Sequence, residues 1–86
     1  MDYTVIWERR IKKGLIIRIG FDPNEELPWV ISFYGNGKYF LTMRECLAYG
    51  YGRGFINTRP EVDRIAAEIS RNMKAAAVQE GRALPG

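Results

Sequence analysis

Histidine is absent from this chain, and cysteine occurs once, at Cys46. A lone cysteine closes no internal disulfide, and without imidazole beside it there is no ordinary zinc site. Losing histidine also removes the usual general base near neutral pH, and with it Ser-His-Asp and Cys-His catalysis. Cys46 is then expected to be a small buried hydrophobe. Long apolar runs are missing as well: stretches such as Leu15 to Ile17 and Trp29 to Ile31 fall far short of the ~20 residues that span a bilayer. The acids offer no catalytic pair. Glu25 and Glu26 lie in a proline-flanked loop, and Glu61, Asp63 and Glu68 lie on a capped helix where solvation and the dipole account for them. No enzyme, metal or cofactor is expected.

What is present is an ordinary folded composition, 47% hydrophobic and 27% charged over 86 residues, enough for one domain. The net charge of +3 is unevenly spread. Arg9, Arg10, Lys12, Lys13 and Arg18 crowd the first twenty residues against Asp2 and Glu8, while Asp22, Glu25 and Glu26 form an acidic patch directly after them. The opening Met1-Asp2 is followed by no apolar leader and no small-residue cleavage site, so a cytoplasmic address is expected.

The first half has the pattern of strands, expected over residues 3–11, 15–21, 29–34 and 38–41. Lys12-Lys13-Gly14 suits a three-residue hairpin loop that sets Ile11 against Leu15, Trp7 against Ile19, Val5 against Phe21 and Glu8 against Arg18. The shorter loop Lys13-Gly14 would oppose Arg9 to Arg18 and Trp7 to Gly20, which mixes charge with charge and wastes the tryptophan. Asp22 to Pro28 is a connecting loop. Asn36-Gly37 is a strong turn signal; as the two central residues it would pair Phe33 with Phe40 and Tyr34 with Tyr39, whereas a three-residue loop would oppose Phe33 to Tyr39.

The second half has the pattern of helices. Thr42 with Glu45, and Thr58 with Glu61, form capping boxes, and Pro60 sits in the first turn of the second helix. The helices are expected over about 43–55 and 59–80, with a tail over 82–86. Val62, Ile65, Ala66, Ile69, Met73 and Ala76 make the buried stripe of the second helix. Its far end, Met73, Ala76, Ala77 and Val78, is expected to overhang the sheet and to offer a homodimer contact. Arg64 and Glu68 are spaced for a helical ion pair. Gly50, Gly52 and Gly54 suggest either close packing against an aromatic sheet or a ligand-contacting loop from Tyr49 to Phe55. Packing is the simpler account, because Leu47, Tyr51 and Phe55 continue an apolar stripe beside them. Their spacing is not the dinucleotide fingerprint, and Gly52-Arg53-Gly54-Phe55 lacks the second aromatic and the strand context of the RNA-binding octapeptide.

The expected fold is α+β: an antiparallel meander of three to four strands, then two helices packed on one face. The opposite face then presents Arg10, Ile16, Arg18, Tyr34 and Tyr39, unless a helix covers it. Tyrosine and arginine among exposed apolar residues suit a protein-binding surface. The expected function is a small non-enzymatic module that binds a macromolecule, foremost a protein, as an inhibitor or regulator of the kind phage and mobile elements encode. The alternative is a DNA- or RNA-binding regulator using Arg9, Arg10, Lys12, Lys13 and Arg18; the third is an enzyme or a small-molecule site around Tyr49 to Phe55.

Overall fold

The computed structural model describes residues 3–79, with side chains described over 3–75. Four strands come first, β1 (Thr4–Lys12), β2 (Leu15–Phe21), β3 (Trp29–Phe33) and β4 (Asn36–Phe40), and two helices follow, α1 (Met43–Gly52) and α2 (Arg59–Gln79). The strands form one antiparallel sheet in the order β1-β2-β3-β4. Both helices lie on one face, α1 against β3 and β4 and α2 against β1. Alternation decides which residues meet them. Leu15, Ile17, Ile19, Ile31 and Phe33 point inward with Trp7 and join Leu47, Ile56, Ile65 and Ile69 in one buried cluster.

The first hairpin combines the two registers weighed above. Its centre pairs Trp7 with Ile19 and Glu8 with Arg18, as expected. Its tip instead uses the two-residue turn Lys13-Gly14 with Lys12 opposite Leu15, and a bulge at Ile11 absorbs the extra residue. A second irregularity at Ile6 moves Val5 opposite Gly20 and leaves Thr4, not Val5, facing Phe21. Val5 is therefore exposed rather than buried. Asn72 of α2 donates to the Ile6 carbonyl at 2.9 Å, so the bulged backbone on this edge strand keeps a partner.

The second hairpin turns earlier than the Asn36-Gly37 signal predicts. Tyr34 (φ 48) and Gly35 (φ 76) are the two turn residues, and Phe33 pairs with Asn36. Two positive φ values in a two-residue loop are the geometry of a type I′ turn. The reason lies in the ladder. This register forms five pairs and seats Phe40 opposite Trp29 on the core face, which a turn at Asn36-Gly37 cannot do. Tyr39 consequently faces Val30, not Tyr34.

Both threonines cap as expected, the Thr42 hydroxyl accepting from the Glu45 amide at 3.2 Å and the Thr58 hydroxyl from the Glu61 amide at 3.3 Å, while the carboxylates return to the Thr42 hydroxyl at 3.1 Å and to the Asn57 amide at 3.2 Å. Helix α1 ends at Gly52, three residues before the expected stop at Phe55. Gly54 adopts φ 80, its amide bonds the Tyr51 carbonyl at 3.1 Å, and the Phe55 amide reaches back to the Gly50 carbonyl at 2.9 Å. That pair of bonds is a Schellman stop, which needs a left-handed residue where Gly54 stands. Gly50 answers to packing instead, since a Cβ there would lie 3.3 Å from both Ile31 Cδ1 and Ile56 Cδ1. On α2, Arg64 pairs with Glu61 at 3.6 Å rather than with Glu68, which accepts from the Trp7 indole at 3.4 Å. Met73 packs partly against the chain's own core. The expected overhang at Ala76, Ala77 and Val78 and the tail over 82–86 lie outside the residues whose side chains are described.

Candidate functional site

The helix-covered and uncovered faces of the sheet are built from alternate residues of the same strands. On the uncovered face one row runs Val5, Gly20, Val30, Tyr39 across all four strands, and the next runs Glu8, Arg18, Ser32, Gly37. Beyond them, towards both hairpin tips, stand Arg10 and Ile16.

The first row closes on itself. The Tyr3 ring lies directly on Gly20, where an added Cβ would come within 2.0 Å of it. The Tyr39 ring flanks Gly37, whose added Cβ would sit 3.4 Å from Val30 and 3.6 Å from Tyr39. Aromatic rings laid over strand glycines keep Val30 only 1% exposed although it faces away from the helices. Tyr3 was not singled out from sequence; the signal was there in Gly20, a strand glycine that leaves room for a neighbour to cover the backbone.

The tip end stays open. Arg10, Lys13, Gly14, Ile16, Arg18, Tyr34 and Gly35 line an open groove of about 420 Å³ between the two turns. Of the residues expected on the two binding surfaces, five meet here: Arg10, Lys13, Ile16, Arg18 and Tyr34. Tyr39 shares the face but stands at its other end. Arg9 alternates to the helix side, where its guanidinium bonds Glu61 at 2.7 Å and sits 5.0 Å from the Trp7 ring centre. Lys12 is opposite Leu15 and so starts from the helix side as well.

The groove's electrostatics are one-sided. Arg18 Nε donates to Glu8 at 2.7 Å, whereas Arg10 and Lys13 have no ion-pair partner among the described residues. Three cations elsewhere are paired: Arg9 and Arg64 both approach Glu61, and Arg44 pairs with Asp63 at 2.9 Å. Glu61 also accepts from the Asn57 amide at 3.2 Å, and the Arg9 bond, followed by that amide, holds its carboxyl below the ordinary value of 4.5. Tyr34 adds an exposed aromatic at 62%.

The stretch from Tyr49 to Phe55 packs at its two ends, while Tyr51, expected in the apolar stripe, is exposed together with residues 52–54. Tyr49 meets Phe33 and Phe40 with ring centres 6.2 and 5.4 Å apart, and Phe55 meets Phe33 at 5.3 Å. The Arg53 guanidinium lies over the Phe33, Tyr49 and Phe55 rings at 5.3, 6.0 and 6.0 Å and closes this cluster from outside. Cys46 is fully buried, and burial pushes its thiol up to about 12, far from a reactive thiolate. Among the described residues no three acids or thiols gather in a metal-ligating cluster, and no helix is long and apolar enough to cross a membrane. Compared with known proteins, the chain matches no family model, no curated protein and no solved structure.

Proposed function

We propose that this protein is a small non-enzymatic binding module, and that it engages an anionic macromolecular partner through the uncovered end of its sheet. One observation carries this: Arg10, Lys13 and Arg18 converge on a single open groove with Glu8 as their one ion-pair partner among the described residues. Cations held together without enough acids raise the local potential, and a partner bearing the opposite charge relieves it. The aromatic pair expected to anchor a protein, Tyr34 and Tyr39, is divided between the two ends of the face. The open end therefore offers charge and one exposed ring rather than an apolar centre of contact.

Heparin–agarose supplies a generic polyanion for the test. Arg10→Glu with Lys13→Glu should shift elution to clearly lower salt than Arg44→Glu with Arg64→Glu, which changes net charge equally on the helices. Equal shifts for the two double variants would mean that net charge acts, not the groove.

A further inference from the structure

Resting on the anionic-partner reading above, we propose that the groove is the phosphate-contacting end of a surface that docks duplex DNA, with the hairpin-tip end of the sheet set against the sugar–phosphate backbone and Tyr34 alongside. Three features favour a nucleic acid over an acidic protein. The lining carries three cations, Arg10, Lys13 and Arg18, with Ile16 and Tyr34 its only large hydrophobic side chains. Protein–DNA interfaces are more polar and far more positive than protein–protein ones, whose buried centres are apolar and depleted in charge.

The cations are also placed for a repeating anion. Arg10 and Arg18 stand on adjacent strands in successive outward rows, Arg10 opposite Ile16 and Arg18 opposite Glu8. Successive outward rows are roughly 7 Å apart along the strands, and neighbouring strands about 4.8 Å apart. Lys13 extends the line at the turn. Long side chains on that diagonal reach several phosphates of one backbone at once.

The third feature is Tyr34 itself. A type I′ turn favours Asn, Asp or Gly at both central positions, and a bulky residue at φ 48 is strained. The chain places there a largely exposed ring on the rim of the cationic groove, where it can pack on a sugar or base edge. Strained residues of this kind concentrate at ligand-contacting sites.

The experiment is fluorescence anisotropy with the full chain and two probes, a labelled mixed-sequence 20-base-pair DNA duplex and a labelled polyglutamate peptide, from 20 to 200 mM salt. The duplex should bind at low salt with a log–log salt slope of about −2.7, as expected for three neutralised phosphates. Arg10→Glu with Lys13→Glu should weaken it at least tenfold. Arg44→Glu with Arg64→Glu should change it less than threefold, and circular dichroism of each variant separates lost binding from lost folding. Tyr34→Asn, which suits the turn better, should still weaken binding threefold or more. Binding of polyglutamate with no binding of the duplex would overturn the DNA assignment and leave the anionic-partner proposal standing. Binding of neither probe, with heparin retention insensitive to Arg10 and Lys13, would overturn both.

Discussion

Arg9 and Arg10 are neighbours in the chain with opposite fates. Arg9 turns to the helix side, lies beside Trp7 and bonds Glu61; Arg10 turns to the uncovered side and has no ion-pair partner among the described residues. Strand alternation alone separates them. The same holds for Ile16 and Ile17, one half-buried on the groove and the other fully buried under the helices. Across four strands this yields one face whose apolar groups pack into the core, and another that is closed at one end by tyrosines and opens at the other into a cationic groove. The lesson is that a sheet this small can hold its fold with one face and leave part of the second for recognition.

That contrast can be broken most severely at Ile17. Ile17→Ala should cost about 2–5 kcal/mol, because it empties a site at the centre of the buried cluster. Ile16→Ala should stay below about 1 kcal/mol, being half-exposed. Urea unfolding of the two variants checks the pair, and similar losses would mean that the groove side is part of the core.

Gly20→Ala probes the closed end of the uncovered face. Its Cβ would intrude on the Tyr3 ring, so Tyr3 must leave or the strands must part, at about 1–3 kcal/mol. A thermal melt reads the loss; if Tyr3 is what gives way, Gly20→Ala in a Tyr3→Ala background should lose much less. Tyr34→Asn, in contrast, should raise stability by about 0.5–1 kcal/mol by relieving the strained turn, while lowering affinity for the partner. A variant that gained both stability and affinity would remove the functional reason for the tyrosine.

Glu61 gives the smallest effect and sharpens the helix side. The hydrogen bond from Arg9 lowers its carboxyl below 4.5, so its contribution is complete above that pH and is lost as pH falls through the lowered folded value. Melting temperatures followed from pH 6 to pH 2.5 should show a drop that Glu61→Gln makes shallower. An unchanged profile would mean that the Arg9 bond adds nothing in solution.

The sequence shows the element order, both threonine caps, the inward apolar set and the Trp7 to Ile19 register plainly, because each rests on local chemistry or strict alternation. It conceals the two bulges on β1: each shifts the alternation by one residue, but the shift turns Thr4 and Lys12 rather than apolar residues to the helix side, so no apolar pattern records it. The second turn was misplaced for a related reason. Asn36-Gly37 is the stronger local turn signal, but the ladder pairs Phe40 with Trp29 rather than with Phe33, and tertiary pairing outweighs turn preference. The groove was half visible. Arg10 and Arg18 follow from alternation, whereas the approach of Lys13 and Gly14 to Tyr34 and Gly35 depends on both turns lying at one end of the sheet.

The central claim is that recognition belongs to the open end of the sheet and not to the helices, whose outer side also carries exposed Arg64, Arg71 and Lys74. Amide chemical-shift mapping during titration with the DNA duplex at low salt tests it most directly. The account predicts the largest perturbations at Arg10, at residues 13–18 and at Tyr34 and Gly35. Perturbations centred instead on Arg64, Arg71 and Lys74, with the hairpin tips unmoved, would contradict it.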